Sequence, residues 1–331
     1  MSERPWRCHA ACFEADQLNP MLAVSPWAGH RAFVYDWVVW MRPRTLVELG
    51  SHYGCSLFTF AQAAKDHRLD LAITAVDTWA GDAHTGPYDA SVFALVERTR
   101  QAHFADLSLQ LRRESFAAAR AGVPPGSVDL LHLDGCHDYA ATRADDEAWR
   151  DALAPDGVIL FHDVAPDCGY GSARYWAELR AQHPHLEFLQ HSYGLGLLFP
   201  KGDRRLRDFI QTGAADWLEY YRHQAEAALL GRQVQDQAHQ LEARWGIMQR
   251  MEAMIQDRDA AIASQARLLE ERWGVMQRME AMIQDRDGAI ASQARLLEER
   301  WAIMQQLEAL IQERDAALAA RRLGPSPGGH A

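Results

Sequence analysis

The sequence predicts an α/β protein, a doubly wound and mostly parallel sheet followed by a long C-terminal helical coiled coil. Short apolar runs alternate with helix-length periodic segments over residues 30–205. That is the pattern of strands buried on both faces between crossover helices. Several of these runs end on chemistry. Leu130–Leu133 leads into Asp134-Gly135-Cys136-His137, Val158–Phe161 into His162-Asp163, and Thr45–Leu49 into the turn Gly50-Ser51-His52-Tyr53-Gly54. In an open α/β sheet the carboxyl ends of the strands are where ligands bind. From about Ala214 the pattern changes: no proline occurs before Pro325, and a tandem repeat sets in.

Taken in order, helical periodicity around Gly29–Met41 precedes a strand at Thr45–Gly50 and a helix from Ser56 to His67. A strand at Leu71–Val76, a helix at Ser91–Ala102 and a strand at Leu107–Arg113 follow. Next come strand Val128–Leu133, helix Ala140–Leu153, strand Val158–His162 and helix Ser172–Gln182. Strands Glu187–His191 and Gly196–Phe199, separated by Ser192-Tyr193-Gly194, read as an antiparallel hairpin finishing the edge. The expected organisation is an N-terminal extension (1–29), the α/β domain (30–205), a helical connector (206–240), a coiled coil (241–320) and a disordered tail (321–331).

In the C-terminal part, Arg244-Trp245-Gly246-Ile247-Met248-Gln249-Arg250-Met251-Glu252 returns as Arg272-Trp273-Gly274-Val275-Met276-Gln277-Arg278-Met279-Glu280, and more loosely from Arg300. The period is four heptads, which specifies a supercoiling helix rather than a solenoid of helix pairs. One heptad line is apolar from Leu241 through Met248, Ile255 and Ile262 to Leu318. The complementary line mixes Met251 and Met279 with Arg258, Gln265, Arg272 and Arg286, so the number of strands stays open. A single helix folded back on the α/β domain is the alternative. At about 1.5 Å per residue, residues 241–318 would span on the order of 115 Å.

A formal charge of −11, from 34 basic against 45 acidic residues, argues against a general nucleic-acid binder. The five cysteines lack zinc-ligand spacing and read as reduced thiols. No run approaches the roughly 20 apolar residues that span a bilayer, and no cleavable leader is evident. A cytoplasmic location is expected, with peripheral association at the inner membrane as an option.

Four segments together carry a resemblance: Val47–Ser56, Val76–Tyr88, Leu130–Tyr139 and Val158–Val164. Over about residues 30–200 the chain resembles the class I S-adenosylmethionine-dependent methyltransferases, with their seven-stranded Rossmann-like sheet. More narrowly, it resembles the branch found in bacterial glycan clusters, related to the metal-dependent sugar O-methyltransferases of macrolide and aminocoumarin pathways. The resemblance implies S-adenosylmethionine as cofactor, with Mg²⁺ as an optional second, and a sugar, glycan or small hydroxylated acceptor. Some chain-capping methyltransferases of that kind carry a coiled coil that sets their distance from a membrane polymerase. A homo-oligomer and a membrane-associated polysaccharide-assembly partner are therefore expected.

The site residues follow. Gly50 and Gly54 let the backbone turn sharply beneath a ligand, and Ser56 opens the next helix. The resemblance puts Glu48 near the methionine amine of the cofactor. Asp77, ending the second strand, can accept both ribose hydroxyls, as in dinucleotide folds. Ser115 follows the third strand, where family members contact adenine; capping the next helix is its alternative role. Trp79, Asp82, His84 and Tyr88 lie on a loop suited to a lid over cofactor and acceptor. Asp134 and Asp163 are the candidate metal ligands, since carboxylates suit Mg²⁺. Asp134 also counts among the cofactor contacts. His137 is the candidate general base, because imidazole titrates near working pH, and Asp134 and His162 complete the catalytic set. The macrolide-type enzymes carry a third acid where this chain has Cys136, and a pair of acids where it has His162-Asp163. A weaker metal site, or a metal-independent histidine mechanism, fits that departure. A cofactor-binding protein without turnover and a metal-dependent hydroxylase on the same scaffold are the rival readings.

Overall fold

The computed structural model describes residues 5–82 and 85–322. It divides into two compact units, Met1–Gln240 and Leu241–Ala331.

The first unit opens with short 3-10 turns at Glu14–Gln17, Pro20–Leu22 and Pro26–His30. Helix α1 (Arg31–Met41), strand β1 (Thr45–Leu49), helix α2 (Cys55–Asp66) and strand β2 (Ala72–Asp77) follow. A two-residue hairpin, β3 (Gly81–Asp82) and β4 (Gly86–Pro87), leads to helix α3 (Ala90–His103) and strand β5 (Leu109–Arg113). Helix α4 (Phe116–Arg120), β6 (Val128–Leu133), α5 (Tyr139–Trp149), β7 (Leu153–His162) and α6 (Gly171–Arg180) come next. Strands β8 (His185–Phe188) and β9 (Leu195–Leu198) and helix α7 (Arg204–Gln211) precede α8, which runs from Leu218 to Arg322.

Seven strands form one sheet in the order β5-β2-β1-β6-β7-β9-β8. Every pairing is parallel except those of β9, which runs antiparallel to β7 and β8. The doubly wound, mostly parallel sheet predicted from the sequence is therefore the observed fold. Both faces are covered. Leu46, Ile73, Leu130 and Leu160 pack with Trp37, Phe60 and Phe33 on one side, and Val47, Leu131, Ile159 and Phe161 with Trp149 and Trp176 on the other.

The hairpin does not simply cap the edge, because its second strand lies inside the sheet and its first lies outside. Burial explains the order. All four residues of β9 are buried, whereas His185, Leu186 and Glu187 of β8 remain partly exposed, as an edge strand tolerates.

The N-terminal segment belongs to the core: Trp6, Leu22 and Trp27 are buried in it. The start of α8 is tied to the same unit. Tyr221 Oη donates to Asp36 Oδ2 at 2.5 Å and accepts from Trp6 Nε1 at 2.9 Å.

In the second unit α8 continues unbroken, with its apolar heptad line uncovered. Leu241, Leu269 and Leu297 are 64%, 65% and 66% exposed. The helix includes residues 321 and 322, where the tail was expected to begin; the rest of that tail lies outside the described residues, as does His84. No helix among the described residues is long and apolar enough to cross a membrane.

Candidate active site

A cavity of about 450 Å³ opens over the carboxyl ends of β1, β2, β6 and β7. Its floor is the β1–α2 turn. Gly50 and Gly54 both have φ of +89°. A Cβ on Gly50 would stand 2.0 Å from the Asp134 carbonyl oxygen, so the close approach of the β1 and β6 ends requires glycine there.

Behind the turn lies Glu48, fully buried. It accepts from Ser51 Oγ and Ser56 Oγ, each at 2.5 Å, and from His132 Nδ1 at 3.1 Å. The indole N–H of Trp27 can only donate, and it reaches His132 Nε2 at 3.2 Å. His132 is therefore the neutral Nδ1–H tautomer, holding Glu48 from one side while the serines hold it from the other. Glu48 thus shapes the turn from behind; Ser51 and Ser56 are the groups on the cavity wall.

Asp77 ends β2 and fixes two loops at once. Its Oδ2 accepts from the amides of Ser51 (2.9 Å) and His52 (3.0 Å), and its Oδ1 from the amide of Trp79 (2.7 Å). His52 and Trp79 both hold positive φ, 50° and 47°, conformations that these bonds sustain. Asp77 itself lines the cavity. Trp79 does not. Its ring is buried against Phe93 and its Nε1 donates to the His52 carbonyl at 2.9 Å, so it anchors the loop rather than covering a ligand. The side of the lid that faces the cavity is Tyr88, stacked on His52 at 4.7 Å. Ser115 does two things: it caps α4, accepting from the Ala118 amide at 3.3 Å, and with Phe116 it lines the cavity.

Asp134, His137, His162 and Asp163 converge on the opposite wall. His162 Nδ1 lies 3.1 Å from Asp134 Oδ1 and 3.1 Å from Asp163 Oδ2, and its Nε2 lies 2.8 Å from the Ser192 carbonyl oxygen. His137 Nδ1 reaches the same Asp163 Oδ2 at 2.8 Å. Asp163 has φ of +58°, an uncommon conformation for a non-glycine residue, and Ser172 Oγ anchors its carbonyl at 2.7 Å.

Burial alone would lower the His162 imidazole; the Asp134 and Asp163 carboxylates outweigh it and hold it well above the usual histidine range. Burial would raise both carboxyls; the histidines prevail and hold both low. His137 is likewise raised, burial being outweighed by its bond to Asp163. Donor atoms of Asp134, His162 and Asp163 lie within 4.8 Å of one another, a set able to hold a metal ion. Cys136 lines the cavity but is not part of that set.

Residues beyond the sequence reading complete the wall. Met21, Val24 and Trp27 come from the N-terminal segment, Tyr53 from the β1 turn and Tyr193 from the β8–β9 loop. A proline-bounded apolar stretch around Met21–Trp27 was the available signal, but nothing local ties it to the strands that begin downstream at Thr45. Tyr170, on the loop between β7 and α6, packs against His137 with the ring centroids 4.8 Å apart.

Residues 47–164 match the family model described as a methyltransferase domain. All four signature segments fall inside that match. A curated relative, an uncharacterised protein of Sinorhizobium fredii (strain NBRC 101917 / NGR234), is 38% identical over 247 residues, covering 71% of this chain and 26% of its own. The chain thus spans about a quarter of that relative's length. Among solved structures, an SAH-bound methyltransferase of Podospora anserina is similar at 15% identity over 58% of this chain and 90% of that one, with a TM-score of 0.44. An O-methyltransferase of Streptomyces achromogenes involved in tomaymycin synthesis, in complex with SAM, gives 16% identity, 59% and 92% coverage, and a TM-score of 0.41.

Proposed function

We propose that this protein moves the methyl group of S-adenosylmethionine to a hydroxyl of a sugar or surface glycan. The observation that supports it is the division of the cavity into two halves. One half holds the glycine turn, Asp77 and Ser115; the other holds Asp134, His137, His162 and Asp163. The first half offers a ribose-accepting carboxylate and a close backbone approach, which suit a nucleoside cofactor. The second offers a base and anionic ligands, which a hydroxyl acceptor needs.

Methyl transfer forms an O–C bond as the S–C bond breaks, leaving S-adenosylhomocysteine and one proton to remove. His137 keeps Nδ1–H on Asp163, so in its neutral form Nε2 is the atom that takes the acceptor's proton. Asp163 steadies the resulting imidazolium. Asp134, His162 and Asp163 would hold a divalent cation, which lowers the acceptor hydroxyl's pKa and orients neighbouring oxygens when bound. The rings of Tyr53, Tyr88, Tyr170 and Tyr193 supply flat faces for a sugar.

The α8 repeats are proposed to join copies of this chain in a parallel, in-register coiled coil. In that arrangement a residue of the mixed heptad line packs against the following residue of the partner helix. Arg244, Arg272 and Arg300 are followed by Trp245, Trp273 and Trp301, and Arg258, Arg286 and Arg314 by Asp259, Asp287 and Asp315. Each guanidinium then meets an indole face or a carboxylate. This would space the catalytic unit from a membrane-associated polysaccharide-assembly partner.

Calorimetry with S-adenosylmethionine, on wild type and Asp77→Ala with and without Mg²⁺, tests the cofactor half. Binding is expected in wild type and lost in the variant; no binding in wild type overturns the assignment. For the coil, Met276→Cys should form a self-disulfide under mild oxidation, which an antiparallel pairing or a monomer would not give. Deleting one 28-residue unit should change glycan chain length, and unchanged lengths with intact methylation would refute the spacing role.

A further inference from the structure

We infer that His162 is itself a metal ligand, through Nδ1, and that the Asp134–His162–Asp163 set is built for a first-row transition-metal dication in preference to Mg²⁺. One hydrogen bond of His162 has a fixed polarity. The Ser192 carbonyl oxygen, 2.8 Å from His162 Nε2, can only accept, so Nε2 carries the hydrogen. Nδ1, which in the metal-free form carries the proton shared with the two carboxylates, presents a lone pair once a cation displaces that proton. It does so 3.1 Å from Asp134 Oδ1 and 3.1 Å from Asp163 Oδ2. Three ligand atoms then converge on one point, which a dication can occupy in place of the proton.

The spacing suits a metal. Two ligands on adjacent corners of an octahedron with bonds of about 2.1 Å stand about 3 Å apart. Metal-bound histidines commonly donate their other ring N–H to a backbone carbonyl, which fixes tautomer and ring orientation. Ser192 does this here, at φ of 52°, and its carbonyl also lies 3.2 Å from His30 Nε2. His162 and Asp163 are buried at 6% and 3% exposure, while Asp134 faces the cavity, where an acceptor oxygen would complete the coordination. Mg²⁺ takes oxygen ligands; an imidazole in the set shifts preference towards Mn²⁺, Co²⁺ or Zn²⁺.

The inference deepens the metal-assisted reading above and rests on it only for its purpose, since the donor set is tested without cofactor or acceptor. The full chain, stripped with EDTA and dialysed, is titrated calorimetrically with Mn²⁺, Co²⁺, Zn²⁺ and Mg²⁺. The transition metals are expected to bind at least about tenfold more tightly than Mg²⁺. His162→Asp should narrow that difference several-fold, because it leaves an all-oxygen set. Wild-type protein loaded with Mn²⁺ should show nitrogen modulation from a bound imidazole in its electron spin echo, a readout that needs no variant to fold. Equal or tighter binding of Mg²⁺, or absence of the nitrogen signal, overturns the inference. S-adenosylmethionine binding is measured in parallel: its loss with metal preference intact would remove the proposed function and leave the metal site standing.

Discussion

Replacing Asp77 by Asn tests how one carboxylate organises the cofactor side. Asp77 accepts three backbone N–H groups, from Ser51, His52 and Trp79. Asparagine has one acceptor oxygen, so it can serve either the Ser51–His52 pair or Trp79, while its NH₂ group faces the remaining donor. One or two charge-assisted bonds are lost, at about 1.5–3 kcal/mol each, with the lower figure apt for a half-exposed group. The net cost is roughly 2–4 kcal/mol. For a domain of this size 1 kcal/mol moves the midpoint by about 2–4 °C, so thermal unfolding without cofactor should fall by roughly 5–15 °C. His52 and Trp79, released from positive φ, would also shift the ribose site. Cofactor affinity is expected to fall on the order of 10–100-fold, since each tenfold is about 1.4 kcal/mol. Differential scanning fluorimetry and calorimetry read the two effects separately. An unchanged melting temperature would refute the structural part, and unchanged affinity would refute the placement of the ribose.

Three further outcomes follow from the same geometry. Gly50→Ala forces a Cβ to within 2.0 Å of the Asp134 carbonyl at φ of +89°, so urea unfolding should show a loss of about 2–4 kcal/mol and the cofactor site should fail. Burial raises the Asp145 carboxyl to about 6. Its folded value exceeds its unfolded one, so its ionisation costs stability as pH climbs through that value; Asp145→Asn should gain about 1–2 kcal/mol at pH 8 and little at pH 4. Burial lowers His191 to about 4, and both its ring nitrogens lack a hydrogen-bond partner. The wild type should therefore lose stability as pH falls from about 6.5 towards 4, and His191→Phe should resist that loss; parallel pH melts decide it.

Much of this was legible in the chain. Strand β6 occupies the predicted Val128–Leu133, and β1, β2 and β5 differ from their predicted bounds by a residue or two. A strand buried on both faces is a continuous apolar run, which stands out from its polar surroundings. β7 begins at Leu153, earlier than the predicted Val158, because Leu153 pairs with Val128 of β6; Ala154, Pro155, Asp156 and Gly157, which carry no strand signal of their own, form an irregularity before pairing resumes at Val158. Helix α4 was missed because five residues, Phe116–Arg120, are too few to display a period. At the site, Asp134, His137, His162 and Asp163 were all identifiable as strand-end residues. Trp79 was assigned to the cofactor on residue type, and packing against Phe93 turned it inward.

By itself the sequence determined what is periodic or contiguous: which segments are strands and helices, which strand ends carry acids and histidines, and that residues 241–320 are helical with an apolar heptad line. Only the tertiary structure decided how distant pieces meet. It set β9 inside β8, brought Trp27 to His132 and so fixed the tautomer that holds Glu48, and laid the Ser192 carbonyl on His162. The physical reason is one of range. Local propensity and hydrophobic period act over a few residues, whereas these contacts join groups separated by 30 to 105 positions. Burial of the two sheet faces, and the need to satisfy each polar group taken out of water, select such contacts, and neither is written in any single stretch of the chain.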